Sequence, residues 1–461
     1  MRTQSLVRAL SALAVGFVVA VWPVAAASQE STALLIEAAR DPGRADVAAT
    51  ARSLAMGGIA STSGSADDAL RAPAALLLAR GIDAVFSMGS GAYGRDELRM
   101  TPSELPPWQP ERVPSGRSWS PIGYGAIAVR RGRWALAGFF DGTQRFEHAY
   151  STERASLGLY CLYGLCYGYD ATGHADVGVS VIRFGGAGAV AIVPDRFFVG
   201  GAAYVAVLDY HATARLDRYG CGNTYTDFTI RCATTPTAEP NQVRMSGRAP
   251  GFVLSATVKP VRQASVTVRW QHEPSFDGVR EQQTTGSPPE RRDVQFAPPR
   301  VLALTTAVTA GHTILSAEVA AIGYGAAFGP ALVVDPLDWC IRADTSHCPG
   351  WGFSSHRTQN AAVIRFGGEQ ALAAGRGRLL LRGGFAYEQA YTLARSATDP
   401  ARTGPSLPVA PAATPFEPPR AAARWLSAGA AYAWRSWEVG AGVAKAGRLV
   451  RVAADLRVRI E

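Results

Sequence analysis

The residues that could do chemistry are few and far apart. Gly89-Ser90-Gly91-Ala92-Tyr93-Gly94 has the form G-x-G-x-x-G. A phosphate-cradling loop of that form needs a strand before it and a helix after it. Here Arg95 leads into a proline-rich stretch, so no phosphate site is expected. His272-Glu273-Pro274 lacks the second histidine of a zinc protease helix, and no G-x-S-x-G elbow occurs. Serine, histidine and acidic side chains are present, but no spacing singles out a triad. The six cysteines fall as three local pairs: Cys161 with Cys166, Cys221 with Cys232, and Cys340 with Cys348. A zinc site wants clustered cysteine and histidine at ligand spacing, and only His347 beside Cys348 hints at one. In an exported chain such pairs oxidise. Three disulfides stapling three loops are therefore expected, with no metal and no cofactor.

Export is read from residues 1–27. Arg2 and Arg8 form a basic region, Leu10 to Val24 an apolar one, and Ala25-Ala26-Ala27 a small-residue cleavage pattern before Ser28. That is the form of a secretory signal peptide. The remaining chain shows no apolar run long enough for a membrane-spanning helix. The net charge is +9. Nucleic acid is not expected as the reason, because an exported protein rarely meets it and the arginines are scattered along the chain. Forty-eight glycines against five methionines suit strands and turns better than helices.

The elements that would position any site are strands. Val450, Val452, Ala454, Leu456, Val458 and Ile460 alternate with Arg451, Asp455, Arg457 and Arg459. Such alternation marks a strand with one apolar and one polar face. The same pattern recurs around Leu254, Val268, Val319, Ile364, Leu381 and Val439, with Arg365 and Arg382 among the charges on the opposite faces. So many charged inner faces demand a large wet interior, as in a membrane barrel whose apolar faces meet lipid. Strands are read near 82–93, 121–131, 133–148, 174–193, 196–215, 245–259, 264–276, 296–309, 312–326, 357–372, 377–392, 420–434, 436–446 and 447–460. That is about fourteen, an even number as single-chain outer-membrane barrels require. Short turns alternate with long polar loops, which puts the turns and both chain ends on the periplasmic side and the cysteine pairs in extracellular loops. Trp434 and Trp437 flank one short turn, where an interfacial aromatic girdle sits.

One stretch does not fit the strand pattern. Ala51 to Leu78, "ARSLAMGGIASTSGSADDALRAPAALLL", is a soft run of small residues placed before the first strand. Its pieces "ARSLAMGGIA" (Ala51 to Ala60) and "ADDALRAPA" (Ala66 to Ala74) resemble, in order and spacing, the hatch of the FadL/TodX family of outer-membrane channels. The later "GFVLSATVKPVRQASVTVRWQHE", "FAPPRVLALTTAVTAGHTILSAEVAAIGYG" and "NAAVIRFGGEQAL" are similar to paired barrel strands of that family. Two departures stand out. Ala72 occupies the place of the asparagine before Pro73, and the chain ends Arg459-Ile460-Glu461 without the aromatic residue that the barrel-assembly machinery reads.

The resemblance implies an all-β, roughly fourteen-stranded antiparallel transmembrane barrel with an N-terminal hatch in its lumen. The expected division is a signal peptide at 1–27, a hatch at 28–80 and a barrel at 81–461. It implies a monomer in the cell outer membrane, contacting its lipid and the assembly machinery. The ligand is a hydrophobic small molecule of the long-chain fatty acid or aromatic hydrocarbon kind, and no enzymatic step is expected. Within the hatch, which includes Pro73, Gly57, Gly58 and Gly64 are expected to supply backbone mobility, and Leu54, Met56 and Ile59 are expected to touch the ligand or pack on the wall. Asp67 and Asp68 are expected to pair with lumen arginines such as Arg365 or Arg382, or Asp67 to cap a short helix over Ala69 to Leu78. Arg451 and Arg457 are further expected lumen charges. A passive channel and a loop-displaying scaffold both remain open, and a lipid enzyme less so. Transport requires an inner face that is apolar near the outer mouth and continuous with the hatch; a scaffold requires a filled lumen.

Overall fold

The structure is a computed structural model that describes residues 50–60, 64–78, 81–92, 97–98, 111–112, 117–151, 155–162, 165–223, 229–282, 288–323, 356–357, 360–389, 394–395, 422–447 and 449–460. The expected signal peptide and Cys340 with Cys348 lie outside these residues.

Fourteen antiparallel strands close on themselves. They are β1 (Ile82–Ala92), β2 (Arg117–Arg131), β3 (Trp134–Ser151), β4 (Leu165–Val193), β5 (Phe197–Gly222), β6 (Thr237–Val261) and β7 (Ala264–His272). Then come β8 (Arg300–Ala310), β9 (Thr313–Gly323), β10 (Ala361–Ala374), β11 (Gly377–Glu388), β12 (Ala423–Trp434), β13 (Trp437–Ala446) and β14 (Leu449–Ile460). Closure is made by β1, which pairs with β2 on one side and with β14 on the other, Ile82 opposite Ile460. Closure leaves no unpaired edge, the condition for a sheet to cross a bilayer.

The period-two pattern sets the faces. Leu302, Leu304, Leu315, Val319, Val439 and Val452 are exposed on the outside, while Arg269, Glu318, Arg365, Glu369, Arg382 and Arg457 are buried inside. A continuous apolar exterior of this kind is a lipid face. At one end the strands are joined by short turns at 132–133, 194–196, 262–263, 311–312, 375–376 and 435–436. Gly132, Gly311 and Gly375 take left-handed φ there, as tight hairpins demand. Asp195 and Arg435 adopt the same region without being glycine, at φ 58° and 49°. Longer connections occupy the other end, except between β13 and β14, where only residues 447–448 intervene.

Several stretches expected as loops are sheet instead. β4, β5 and β6 have 29, 26 and 25 residues. A bilayer crossing needs about 11 residues of tilted strand, so β4 continues for about 18 more, on the order of 60 Å of extended chain. The outward face records the change. Phe184, Val205 and Leu254 are exposed apolar residues, whereas Asp209, His211, Arg244 and Arg248 further along are exposed and polar. Short strands Ala155–Leu162, Phe276–Gln282 and Glu290–Phe296 widen this wall. The reason the sequence concealed it is that glycine and charged residues in 165–175 and 215–222 read as loop; their backbone groups are nonetheless paired in register from Tyr167–Gly222 onward. Cys221 and Cys232 form a disulfide at the tip, and Cys161 stands opposite Cys166 in register.

Candidate functional site

Residues 50–60 and 64–78 are almost wholly buried and contact strands through their inward faces. They form a short helix α1 (Ala51–Ala55), a one-turn helix α2 (Asp68–Arg71) and a 3-10 turn over Pro73–Leu78. Alanine-rich α1 begins at Thr50, whose hydroxyl accepts from Ser53 N while Ser53 Oγ accepts from Thr50 N, a reciprocal cap. The next two amides, of Ala51 and Arg52, donate to the two oxygens of Asp455 on β14 at 2.7 and 2.9 Å. A carboxylate at that end satisfies orphan donors and suits the helix dipole.

The small residues of α1 answer small residues on the wall. A Cβ on Gly442 would sit 2.5 Å from Ala51 O, and one on Gly429 would sit 2.6 Å from Ala55 Cβ. Gly367 meets Met56 in the same way, at 2.5 Å from its carbonyl oxygen. Gly57 N donates to Ser427 Oγ at 3.0 Å, and Ser427 Oγ donates to Ala55 O at 2.9 Å. Gly57 and Gly58 turn the chain with φ 78° and 81°, and a Cβ on Gly57 would lie 2.8 Å from Phe385 O. Backbone therefore packs on backbone, which is why Met56-Gly57-Gly58 admits no larger residues at its second position.

Charge fastens the segment at two points. Both carboxylate oxygens of Asp67 lie 2.5 Å from Arg457 Nη2. Arg52 pairs with Glu369 at 3.1 Å; Glu369 also binds Arg382 at 2.7 Å, and Arg382 binds Glu438 at 2.5 Å. Glu438 reaches Arg457 at 3.9 Å. The chain of charges thus leaves the segment at Arg52, runs along the wall and returns at Asp67.

The expected pairing of Asp67 or Asp68 with Arg365 or Arg382 is not the one formed. Arg365 is taken by Glu318, which also accepts from Ala60 N. Asp68 accepts from Gly64 N and Ser65 N, folding the loop before α2. Burial, and then the neighbouring Asp67, push the Asp68 carboxyl well above the usual carboxylate range. Nor does Asp67 cap a helix over 69–78: it makes no side-chain cap bond, and the helix breaks at Ala72 because Pro73 follows. Pro73 and Ala74 instead press on Gly200, and Ala74 N donates to Ser255 Oγ at 2.8 Å. Arg451 stacks over the inward-facing Trp425 at 5.2 Å.

Of the three residues expected to meet a ligand, Leu54 lines a small recess of about 50 Å³ with Ile322, Val363, Ala386 and Trp425, and with the polar Arg365, Glu388 and Ser427. Met56 and Ile59 are buried and do not line it. On the far side of the lumen, Leu70, Leu76 and Leu77 join one apolar cluster with Phe139, Phe198, Tyr204, Met245 and Phe296. Arg52, Glu369 and Ser427 were not singled out from the sequence. The signal for Glu369 was its inward place opposite Arg382 across the β10–β11 pair; Arg52 and Ser427 offered none.

No protein-family model matches the chain, and no curated protein sequence matches it. Among solved structures, a deletion mutant of the monoaromatic hydrocarbon channel TodX superposes with a TM-score of 0.50 at 10% identity, covering 89% of this chain and 99% of that one. The chain has the TodX fold. The toluene transporter TbuX of Ralstonia pickettii gives a TM-score of 0.49 at 13% identity, covering 89% and 98% of the two chains. The hydrocarbon channel CymD gives 0.49 at 12% identity, covering 90% and 98%.

Proposed function

We propose that this protein is a monomeric outer-membrane channel for passive entry of hydrophobic molecules, with residues 51–78 as its hatch. The observation that carries the reading is the apolar inner surface. It is continuous with the segment: Leu70, Leu76 and Leu77 pack with Phe139, Tyr204 and Phe296 of the wall in one buried cluster. An apolar solute that displaced the segment would gain from contact with the apolar wall it leaves. The small recess beside Leu54, with Trp425, Val363 and Ile322 in its lining, is a point where an apolar solute could begin to part the segment from the wall. The resemblance in fold to a channel named for monoaromatic hydrocarbons supports the same class of cargo and a channel rather than an enzyme. The closed barrel with its lipid face supports the outer membrane as its location, and the barrel-assembly machinery as the partner that inserts it belongs to the same proposal.

The test is uptake into liposomes. Toluene and a long-chain fatty acid should each be offered to vesicles holding the full chain or a chain lacking Ser53 to Ala74. The full chain should admit a hydrophobic solute and exclude small polar ones. The shortened barrel should fold, leak polar solutes and lose selectivity. Absence of uptake by the folded full chain, with no leak after deletion, would overturn the channel reading.

A further inference from the structure

The arginines scattered through the sequence converge in space. The short turns at one end of the barrel carry Arg131 and Arg133, Arg196, Arg262, Arg376 and Arg435, and Arg378 stands at the start of β11. All seven are exposed, and the remaining turn carries exposed His312. The acid on these turns is Asp195. Among the described residues none of the seven forms an ion pair. Beside them lie exposed Trp134, Trp434 and Trp437, with the Arg435 guanidinium 4.8 Å from the Trp434 ring centre.

We infer that this collar binds the phosphate groups of anionic phospholipids in the leaflet that meets the turns. The inference rests on the membrane placement proposed above. Its ground is the shape of the charge. Because the barrel is closed, the six turns are spread around the whole circumference, so the cations form a ring. A protein partner would be served by a patch on one side; a bilayer meets the barrel all the way round. Tryptophans whose apolar rings sit at headgroup level mark the depth, and arginines one or two residues further along each strand reach the phosphates beyond it. Basic groups at that depth draw anionic lipid out of a mixed bilayer.

The full chain is folded into vesicles of equal parts phosphatidylcholine and phosphatidylglycerol, with one or the other lipid brominated in turn. Quenching of tryptophan fluorescence then reports which lipid is in contact with the barrel. Phosphatidylglycerol should be enriched about threefold in the contacting shell. Molar salt should remove the enrichment on the unmodified protein, since it shortens the screening length to about 3 Å. So should replacement of the seven arginines by glutamine, whereas R244Q/R248Q, on the far side of the lipid belt, should retain it. Equal quenching by the two brominated lipids in the unmodified protein would overturn the collar and leave an acidic protein as the occupant. Failure to enter vesicles of either lipid would overturn the membrane placement itself, so the two readings fail in different ways.

Discussion

Asp67 and Arg457 stand 390 positions apart in the chain, yet both carboxylate oxygens of Asp67 contact one nitrogen of Arg457, with each side chain 3% exposed. Removing one partner of such a pair leaves a buried charge uncompensated, at a cost of about 3–5 kcal/mol. Asp67→Ala and Arg457→Ala should each loosen residues 51–78 and raise the polar leak through the barrel in planar bilayers. The double variant should leak little more than either single one. Additive effects in that cycle would show that the pair does not hold the segment.

Backbone contact can be tested separately from charge. Gly384→Ala places a methyl group against Gly57 N, while Gly383→Ala on the outward side meets its nearest atom, Ser427 O, at 4.0 Å. The first should open the polar leak with the barrel still folded, judged by its gel migration before and after boiling. The second should behave as the unmodified protein. The same result from both would remove the packing argument.

The last strand separates lipid from lumen. Val452 is 47% exposed on the outer face, and Arg451 stacks on inward-facing Trp425. An arginine on the lipid face near the midplane costs about 2–4 kcal/mol. Val452→Arg should therefore lower stability against urea in liposomes by about that amount, and Arg451→Val by much less. Equal losses would count against a membrane barrel.

Acidity should tighten the segment. The Asp68 carboxyl is held above its ordinary value by burial and by Asp67. A raised acid is penalised when ionised in the native state, and the penalty is relieved as pH falls through its native pKa towards the unfolded value near 4. Leak conductance should fall over that window in the unmodified protein. In Asp68→Asn, which keeps an acceptor for Gly64 N and Ser65 N, it should be flat and low at neutral pH.

The cysteines allow a covalent check. Peptides from the non-reduced protein should show Cys221 joined to Cys232. Cys161 should be joined to Cys166, its partner in register across the β4 hairpin. Crossed pairing would contradict that register.

What the sequence determined by itself was everything governed by short range. Alternation of apolar and polar residues in 450–460 and its counterparts fixes a strand, its faces and its approximate limits, because side chains on neighbouring positions must point oppositely. Even strand number and the place of the short turns follow from that. The Met56-Gly57-Gly58 run was recognisable, but its reason was not: two left-handed residues, the first pressed on the carbonyls of Phe366 and Phe385 and the second facing the Arg365 side chain, hundreds of positions away. The tertiary structure alone decided which lumen arginine receives Asp67, since many inward arginines are equivalent in pattern and only barrel closure and register place Arg457 there. It alone showed that β4, β5 and β6 continue past the lipid belt, because pairing with a neighbour can hold residues in a strand that their own composition would leave in a loop. It alone gathered seven arginines, spread from Arg131 to Arg435, onto one rim, because hairpin after hairpin returns the chain to the same end of a closed cylinder.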